Sequence, residues 1–251
     1  MNIAWDSTGD GAPLLLIQGL GYGRWGWEPI MQELAERYRV LRFDNRGIGE
    51  SDTPAGPYTA AEMATDALQV LDEAGVERAH VVGASLGGMI AQELVVAEPR
   101  RVEKLVLCCT TAGGPDMPPM PDATVKLFME APTLDPQVAL RRFVENALGE
   151  FPPSGLADEL FALRLQNPPD PAGWQAQAAA GTTFAGAAID SIAAPTLIVQ
   201  GTADNVVNPL NAEVLASRIP GAQIELLDGL GHLFFWERPG EFVRIVSEFL
   251  G

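Results

Sequence analysis

The chain has 251 residues, of which 47% are hydrophobic and 20% are charged, the balance of an ordinary globular protein. Its formal net charge of −17 disfavours binding to nucleic acids and to anionic membrane surfaces, which carry the same sign. The only two cysteines, Cys108 and Cys109, are adjacent and therefore cannot form a disulfide framework.

The N-terminal segment MNIAWDSTGDG contains neither the basic region nor the apolar region of a signal peptide. The longest apolar runs are shorter than the roughly 20 residues needed to cross a bilayer. We therefore expect a cytoplasmic protein with reduced thiols that binds neither nucleic acid nor membrane. Its two histidines, His80 and His232, leave little for a histidine-rich metal site, and we expect no cofactor.

Short apolar runs bounded by glycine, asparagine or aspartate predict six β-strands, at residues 13–19, 38–47, 78–85, 103–111, 194–201 and 222–229. The segment NIAWDS predicts a further strand at an edge. Near-continuous apolar runs such as Leu14 to Ile17 are typical of parallel strands that are covered on both faces.

Amphipathic segments alternate with these strands and predict helices at residues 27–37, 59–74, 86–97, 208–218 and 238–250. The second helix begins at Thr59, and Glu62 three residues later completes a capping-box signature. This alternation of strand and helix predicts a doubly wound α/β sheet.

Residues 113–190 break the alternation. The proline-rich segment GGPDMPPMP is followed by helical patterns near 121–131, 135–148, 154–166 and 171–180, without a convincing strand. We therefore predict a core made of residues 1–112 and 191–251, with residues 113–190 inserted as a helical cap, or lid.

The segment VVGASLGG carries the most informative local pattern, a Gly-x-Ser-x-Gly motif centred on Ser85, between a predicted strand and a predicted helix. In this context the serine occupies a strained turn that pushes its hydroxyl out of the sheet. Gly83 and Gly87 leave room where strand and helix approach. A tight turn that merely contains a serine is the plainer alternative.

A serine hydroxyl needs a base to take its proton and an acid to orient that base. Asp204 and His232 each follow a predicted strand, so with Ser85 they share the sheet edge where open α/β sheets bind ligands. Each residue alone fits an ordinary turn or cap. His80 lies at the far end of the Ser85 strand, which leaves His232 as the base.

Two other acids compete with Asp204. Asp116 follows the strand at 103–109, a second place from which an acid reaches the base. Asp228 lies four residues before His232 and is better explained as a turn residue. We favour Asp204.

The order of these residues along the chain, Ser85, Asp204 and His232, resembles that of the α/β-hydrolase fold family. The segment FDNRGIGESD (43–52) also resembles the strand-turn segment of that family. The resemblance implies that the amides of Leu20 and Leu86 form an oxyanion hole. It also implies that Asp44 and Arg46 brace the loop below the site. Two departures are Gln18-Gly19 in place of His-Gly and a short N-terminal region, which suggests seven strands rather than eight.

Apolar side chains in the predicted lid and beside the predicted base indicate an apolar acyl or alcohol group in the substrate. We expect the following residues to contact it: Trp25, Phe128, Trp174, Phe184 and Leu233. The predicted function is hydrolysis of small or medium apolar carboxylic esters through an acyl-enzyme.

The resemblance leaves other functions open. One is hydrolysis of a lactone such as 3-oxoadipate enol-lactone, which calls for a basic residue that contacts a carboxylate: Arg24, Arg141, Arg142 or Arg164. Methyl-ester removal, carbon–carbon bond hydrolysis and perhydrolysis use the same catalytic residues. A non-catalytic binding protein on the same scaffold is the alternative from a different class.

Overall fold

The computed structural model describes residues 1–115 and 117–251. Asp116, the alternative acid, lies outside the described residues.

The described residues form one seven-stranded sheet in the order β1-β3-β2-β4-β5-β6-β7. Only β1 is antiparallel to its neighbour, and the other strands pair in parallel. This agrees with the predicted parallel sheet and with seven strands. The strands are β1 Trp5–Thr8, β2 Ala12–Ile17, β3 Tyr38–Phe43, β4 Ala79–Ala84, β5 Val102–Cys108, β6 Thr196–Gly201 and β7 Gln223–Leu227.

Helices cover both faces of the sheet, as near-continuous apolar strands require. In β2, Leu15 and Ile17 pack with α2, α3 and α8, whereas Leu14 and Leu16 pack with α1 and α10 on the opposite face. The alternation follows from the two-residue period of a strand. These helices are α1 Glu28–Ala35, α2 Ala60–Glu73, α3 Leu86–Ala97, α8 Asn211–Arg218 and α10 Pro239–Leu250, preceded by the short α9 Phe234–Glu237.

The capping box predicted at the start of α2 is present. The Thr59 side chain accepts a hydrogen bond from the Glu62 amide at 3.2 Å, and the Glu62 carboxylate accepts one from the Thr59 amide at 2.9 Å. Each bond satisfies an amide that a helix start otherwise leaves without an acceptor. The local sequence therefore sets where this helix begins.

Among the described residues between β5 and β6 there are four α-helices, namely α4 Asp122–Glu130, α5 Pro136–Asn146, α6 Leu156–Gln166 and α7 Pro171–Thr182. Asp135 caps α5 and Asp170 caps α7, each followed by a proline at the first helical position. The described part of residues 113–190 contains no strand.

Among the described residues, no helix is both long enough and apolar enough to pass through a membrane.

Candidate active site

Ser85 occupies a strained turn between β4 and α3. Its backbone φ of +56° is one of only two positive values among the described non-glycine residues, the other being Cys109. Such a conformation costs about 1–3 kcal/mol and persists only where the surroundings impose it. The Ser85 amide donates to the Cys108 carbonyl at 2.9 Å, and Thr110 Oγ1 donates to the Ser85 carbonyl at 2.7 Å. Both bonds tie the turn to the end of β5.

Two glycines permit this turn. A Cβ on Gly83 would overlap the Gly87 carbonyl and lie 2.9 Å from Ala91 Cβ. A Cβ on Gly87 would overlap the Ile17 carbonyl of the neighbouring strand and approach the Gln18 carbonyl at 2.8 Å. The spacing of glycines around the serine therefore follows from the close approach of α3 to the sheet.

His232 and Asp204 are in direct contact. Nδ1 of the imidazole lies 2.8 Å from Oδ2 of the carboxylate, and both side chains are buried. Asp204 Oδ1 accepts hydrogen bonds from the amides of Val206 and Val207 at 2.7 and 2.9 Å. The carboxylate is thus held in one orientation, and it orients the imidazole in turn.

The pKa of His232 is raised well above its ordinary value of 6.5. Burial disfavours the imidazolium and lowers the pKa, but the negative charge of Asp204, the adjacent Cys109 and the hydrogen bonds of both groups to the ring together more than offset this effect. Cys109 lies beside the same imidazole, and burial raises the pKa of its thiol, while His232 acts in the opposite direction. The imidazole is accordingly a stronger base than a free histidine.

The segment after β2 lies against Ser85. A Cβ on Gly19 would approach Ser85 Cβ at 3.0 Å and Ser85 Oγ at 3.5 Å. Within the described residues, neither the Leu20 amide nor the Leu86 amide donates a hydrogen bond. The Leu86 amide is available because it opens α3, where amides lack intrahelical acceptors. Two such amides near a serine hydroxyl can bind an oxyanion.

Gln177 of α7 holds the segment that contains Leu20. Its Oε1 accepts a hydrogen bond from the Gly21 amide at 3.1 Å, and its Nε2 donates to the Arg46 carbonyl at 2.8 Å. Gln177 is fully buried, so both ends of its amide are used. A residue from the helical insertion thus positions the Leu20 backbone, and the sequence alone did not identify it.

Ser85 and His232 line one cavity of about 660 Å³, which the helical insertion covers. Of the predicted substrate contacts, Phe128, Trp174 and Leu233 line it. Its other walls come mostly from apolar residues of α5 and its surroundings, including Pro136, Ala139, Leu140, Phe143, Val144 and Ala147.

Of the described residues predicted as substrate contacts, Trp25 and Phe184 are not among those that line this cavity. Trp25 packs against Tyr22 and Trp236, with ring centroids 5.1 and 6.3 Å away, and lines a separate charged cleft. Phe184 packs against the buried cluster beneath α2 and α3. Both side chains therefore have packing partners that are not among the residues lining the cavity.

Ser85 and His232 line the same cavity. The hydrogen bonds of the described residues do not include one between Ser85 Oγ and the His232 ring, whose described partner is Asp204. Contacts of this kind are commonly long before a substrate is bound.

His80 lies at the start of β4, edge-on to Tyr38 with ring centroids 6.3 Å apart. Asp228 is exposed and accepts a hydrogen bond from Thr202 Oγ1 at 3.4 Å.

Asp44 and Arg46 have separate roles in the loop below the site. Asp44 accepts hydrogen bonds from the amides of Arg24 and Glu50 at 2.7 and 3.0 Å. Arg46 makes a bidentate pair with Asp66 of α2, with N···O distances of 2.6 and 2.7 Å. Asp44 thus holds backbone amides, Arg46 joins the loop to α2, and neither residue is among those that line the cavity.

Two buried residues support His232 and Asp204, and the sequence alone did not single them out. Gln200 Nε2 donates to Asp204 Oδ2 at 3.0 Å. Glu237 accepts hydrogen bonds from the amides of Gly231 and Gly149 at 2.8 and 3.1 Å, which tie the His232 loop to the end of α5. Their only signal in the sequence is proximity to Asp204 and His232.

In the part of the chain that the structure describes, no group of three or more His, Cys, Asp or Glu side chains is arranged to hold a metal ion. Cys108 and Cys109 are both buried free thiols.

Comparison with known proteins gives a consistent result. The model of a family described as alpha/beta hydrolase fold matches residues 12–239. A 2-hydroxy-6-oxononadienedioate/2-hydroxy-6-oxononatrienedioate hydrolase from Cupriavidus pinatubonensis is 33% identical, over 98% of this chain and 89% of its own. An esterase from Exiguobacterium antarcticum has a TM-score of 0.86 and 25% identity, covering 99% and 96% of the two chains. The enol-lactonase from Burkholderia xenovorans LB400 has a TM-score of 0.81 and 26% identity, with the same coverage.

Proposed function

The chain belongs to the α/β-hydrolase fold family, and from this premise we propose that it is a serine hydrolase that cleaves small or medium apolar carboxylic esters. Ser85 is the nucleophile, His232 the general base and Asp204 the acid that orients it. The observation that carries the proposal is the 2.8 Å contact between His232 Nδ1 and Asp204 Oδ2, because His232 lines the same cavity as the strained Ser85.

The reaction proceeds through an acyl-enzyme. His232 takes the proton of Ser85 Oγ as this oxygen attacks the ester carbonyl, and the Leu20 and Leu86 amides stabilise the oxyanion. Collapse of the tetrahedral intermediate releases the alcohol, which takes the proton from His232. Water then adds to the acyl group by the same steps and releases the acid, which restores Ser85.

The apolar walls of the cavity support an apolar acyl or alcohol group, with Phe128, Trp174 and Leu233 among the side chains that contact it. The helices between residues 113 and 190 act as the lid. They place Phe128 and Trp174 at the cavity wall. Gln177 connects the lid to Gly21 in the segment Gln18 to Gly21, which contains Leu20 and which we call the oxyanion loop. A desolvated cavity strengthens the electrostatic effect of the two amides.

A lactone hydrolase is the second candidate. It uses the same three residues, and the likeness to an enol-lactonase at 26% identity supports it. Lactones and esters differ here only in whether the leaving alcohol stays attached to the acyl group.

Labelling with a fluorophosphonate tests the nucleophile. We expect mass spectrometry to find a single adduct on Ser85, no adduct in Ser85→Ala, and strongly reduced labelling in His232→Ala. The control His80→Ala should label like the wild type, because His80 lies at the opposite end of β4. A folded wild-type protein that is not labelled would instead support a ligand-binding protein without activity.

A further inference from the structure

The cavity beside Ser85 contains one strongly basic side chain and no acidic one among the described residues that line it. That side chain is Arg164, on α6 of the helical insertion. Apart from His232, all the other lining residues are apolar or neutral. In a chain with a net charge of −17, a lone guanidinium in an apolar cavity is an unusual placement.

Arg164 uses little of its hydrogen-bonding capacity on the protein. One Nη1 hydrogen bond goes to the Gly21 carbonyl, and the guanidinium lies over the Tyr22 ring, 4.6 Å from its centroid. A guanidinium has five N–H donors, so four find no acceptor among the described residues. The Gly21 and Tyr22 contacts fix the guanidinium without neutralising it.

The other basic residues of the helical insertion are paired. Arg141 contacts Glu145 and Asp158, and Arg142 and Lys126 both contact Glu130. Of the basic residues weighed as carboxylate ligands, Arg24 is also bound, to Asp6, Asp44 and Glu50. Arg164 alone of these faces the cavity and makes no ion pair with a described carboxylate.

From these contacts we infer that Arg164 binds a carboxylate of the substrate, so that the substrate is an ester or lactone with one carboxylate and an otherwise apolar body. This inference rests on the proposed hydrolase function. Guanidinium pairs with carboxylate in a planar, two-bond geometry, and Arg164 is partly buried at the cavity. The hydrogen bond to Gly21 places the cation one residue from Leu20, on the lid side of the oxyanion loop.

The charge of the whole protein makes such a residue necessary for an anionic substrate. A surface with a large excess of acidic groups repels anions. The positive charge of Arg164 compensates the repulsion between the acidic surface and a substrate that carries one carboxylate. A substrate with two or more carboxylates would leave at least one of them without a positive partner in an apolar cavity. Selection of a monoanion follows.

Two methyl esters of similar overall length test the inference. Monomethyl adipate carries a carboxylate, and methyl heptanoate replaces it with an ethyl group. The readout is the ratio of kcat/KM for the two esters, because a disturbance of the oxyanion loop affects both and cancels. We expect the wild type to favour monomethyl adipate, and Arg164→Met to lower the ratio at least about tenfold.

The control variant is Arg142→Met, which removes an exposed arginine of the same helical insertion and should leave the ratio at its wild-type value. Arg164→Lys keeps the charge without the planar fork and should give an intermediate ratio, which also covers the case in which Arg164→Met does not fold. A ratio that is equal in wild type, Arg164→Lys and Arg164→Met would overturn the inference.

Binding to Ser85→Ala separates this inference from the proposed function. Calorimetric titration should show tighter binding of monomethyl adipate than of methyl heptanoate, and the preference should disappear in Ser85→Ala/Arg164→Met. Preference without any turnover by the wild type would contradict the hydrolase proposal and leave the carboxylate site standing. Turnover without any preference would contradict the carboxylate site alone.

Discussion

The substitution Asp204→Asn tests the predicted orientation of the base, because the hydrogen bonds of the carboxylate determine how an amide would sit. Oδ1 accepts from the amides of Val206 and Val207, so the asparagine oxygen must take that position. The NH2 group then occupies the position of Oδ2, opposite His232 Nδ1 and Gln200 Nε2. An NH2 group can only donate to Nδ1.

In Asp204→Asn, Nδ1 of His232 thus changes from a hydrogen-bond donor to an acceptor. When Nδ1 accepts a hydrogen bond, the neutral imidazole carries its proton on Nε2, and Nε2 can no longer take the proton of Ser85. We expect kcat/KM to fall about 10³- to 10⁴-fold, or about 4–5.5 kcal/mol at 1.36 kcal/mol per factor of ten. The loss should fall mainly on kcat, since no substrate contact is removed.

The assay is hydrolysis of p-nitrophenyl butyrate at a fixed pH, with a thermal unfolding curve for each variant. The matched control is Asp228→Asn, the same change at an exposed acid four residues before His232. This control should retain the wild-type rate. A folded Asp204→Asn protein with kcat within about threefold of wild type would refute the reasoning, and Asp116→Asn would then be the variant to measure.

The other predictions concern the pKa of the base, the packing of the turn and the oxyanion loop. Because the pKa of His232 is raised and only neutral imidazole accepts a proton, kcat/KM for the neutral ester should fall as pH decreases through a value above 6.5. A titration midpoint below 6.5 would show instead that burial outweighs the groups that raise the pKa of His232. Gly83→Ala should destabilise the fold by roughly 1–3 kcal/mol in urea unfolding, because its Cβ would overlap backbone. The control is Gly181→Ala, whose Cβ would lie 3.9 Å from its nearest neighbour, and it should leave the free energy of unfolding unchanged or raise it. An equal loss of unfolding free energy in both variants would argue that overlap with backbone is not the cause. Gln177→Leu should lower kcat about ten- to a hundredfold, because it releases the Gly21 amide. The control Gln137→Leu changes an exposed glutamine and should leave kcat unchanged. An unchanged kcat in the folded Gln177→Leu variant would exclude a positioning role for Gln177.

The fold was predictable because its signals are local. Apolar runs, the Thr59 capping box and the alternation of strand with helix each act over a few residues, and the observed strands and helices follow them. The predicted α/β-hydrolase fold is confirmed by the family match and by the related structures. A parallel sheet also places the ends of successive strands on one edge, which is how Ser85, Asp204 and His232 could be selected together.

Side-chain direction and pairing depend on contacts between distant parts of the chain, and only the tertiary structure decides them. Trp25 follows the oxyanion loop in sequence, yet it packs against Trp236 rather than the cavity. Gln177 and Gly21 are 156 residues apart, so no local pattern relates them. Arg142 and Arg164 look alike as lid arginines, but packing pairs Arg142 with Glu130 and leaves Arg164 facing the cavity. The sequence alone therefore determines the scaffold and the order of the candidate catalytic residues, while tertiary packing determines the walls and the charge of the cavity.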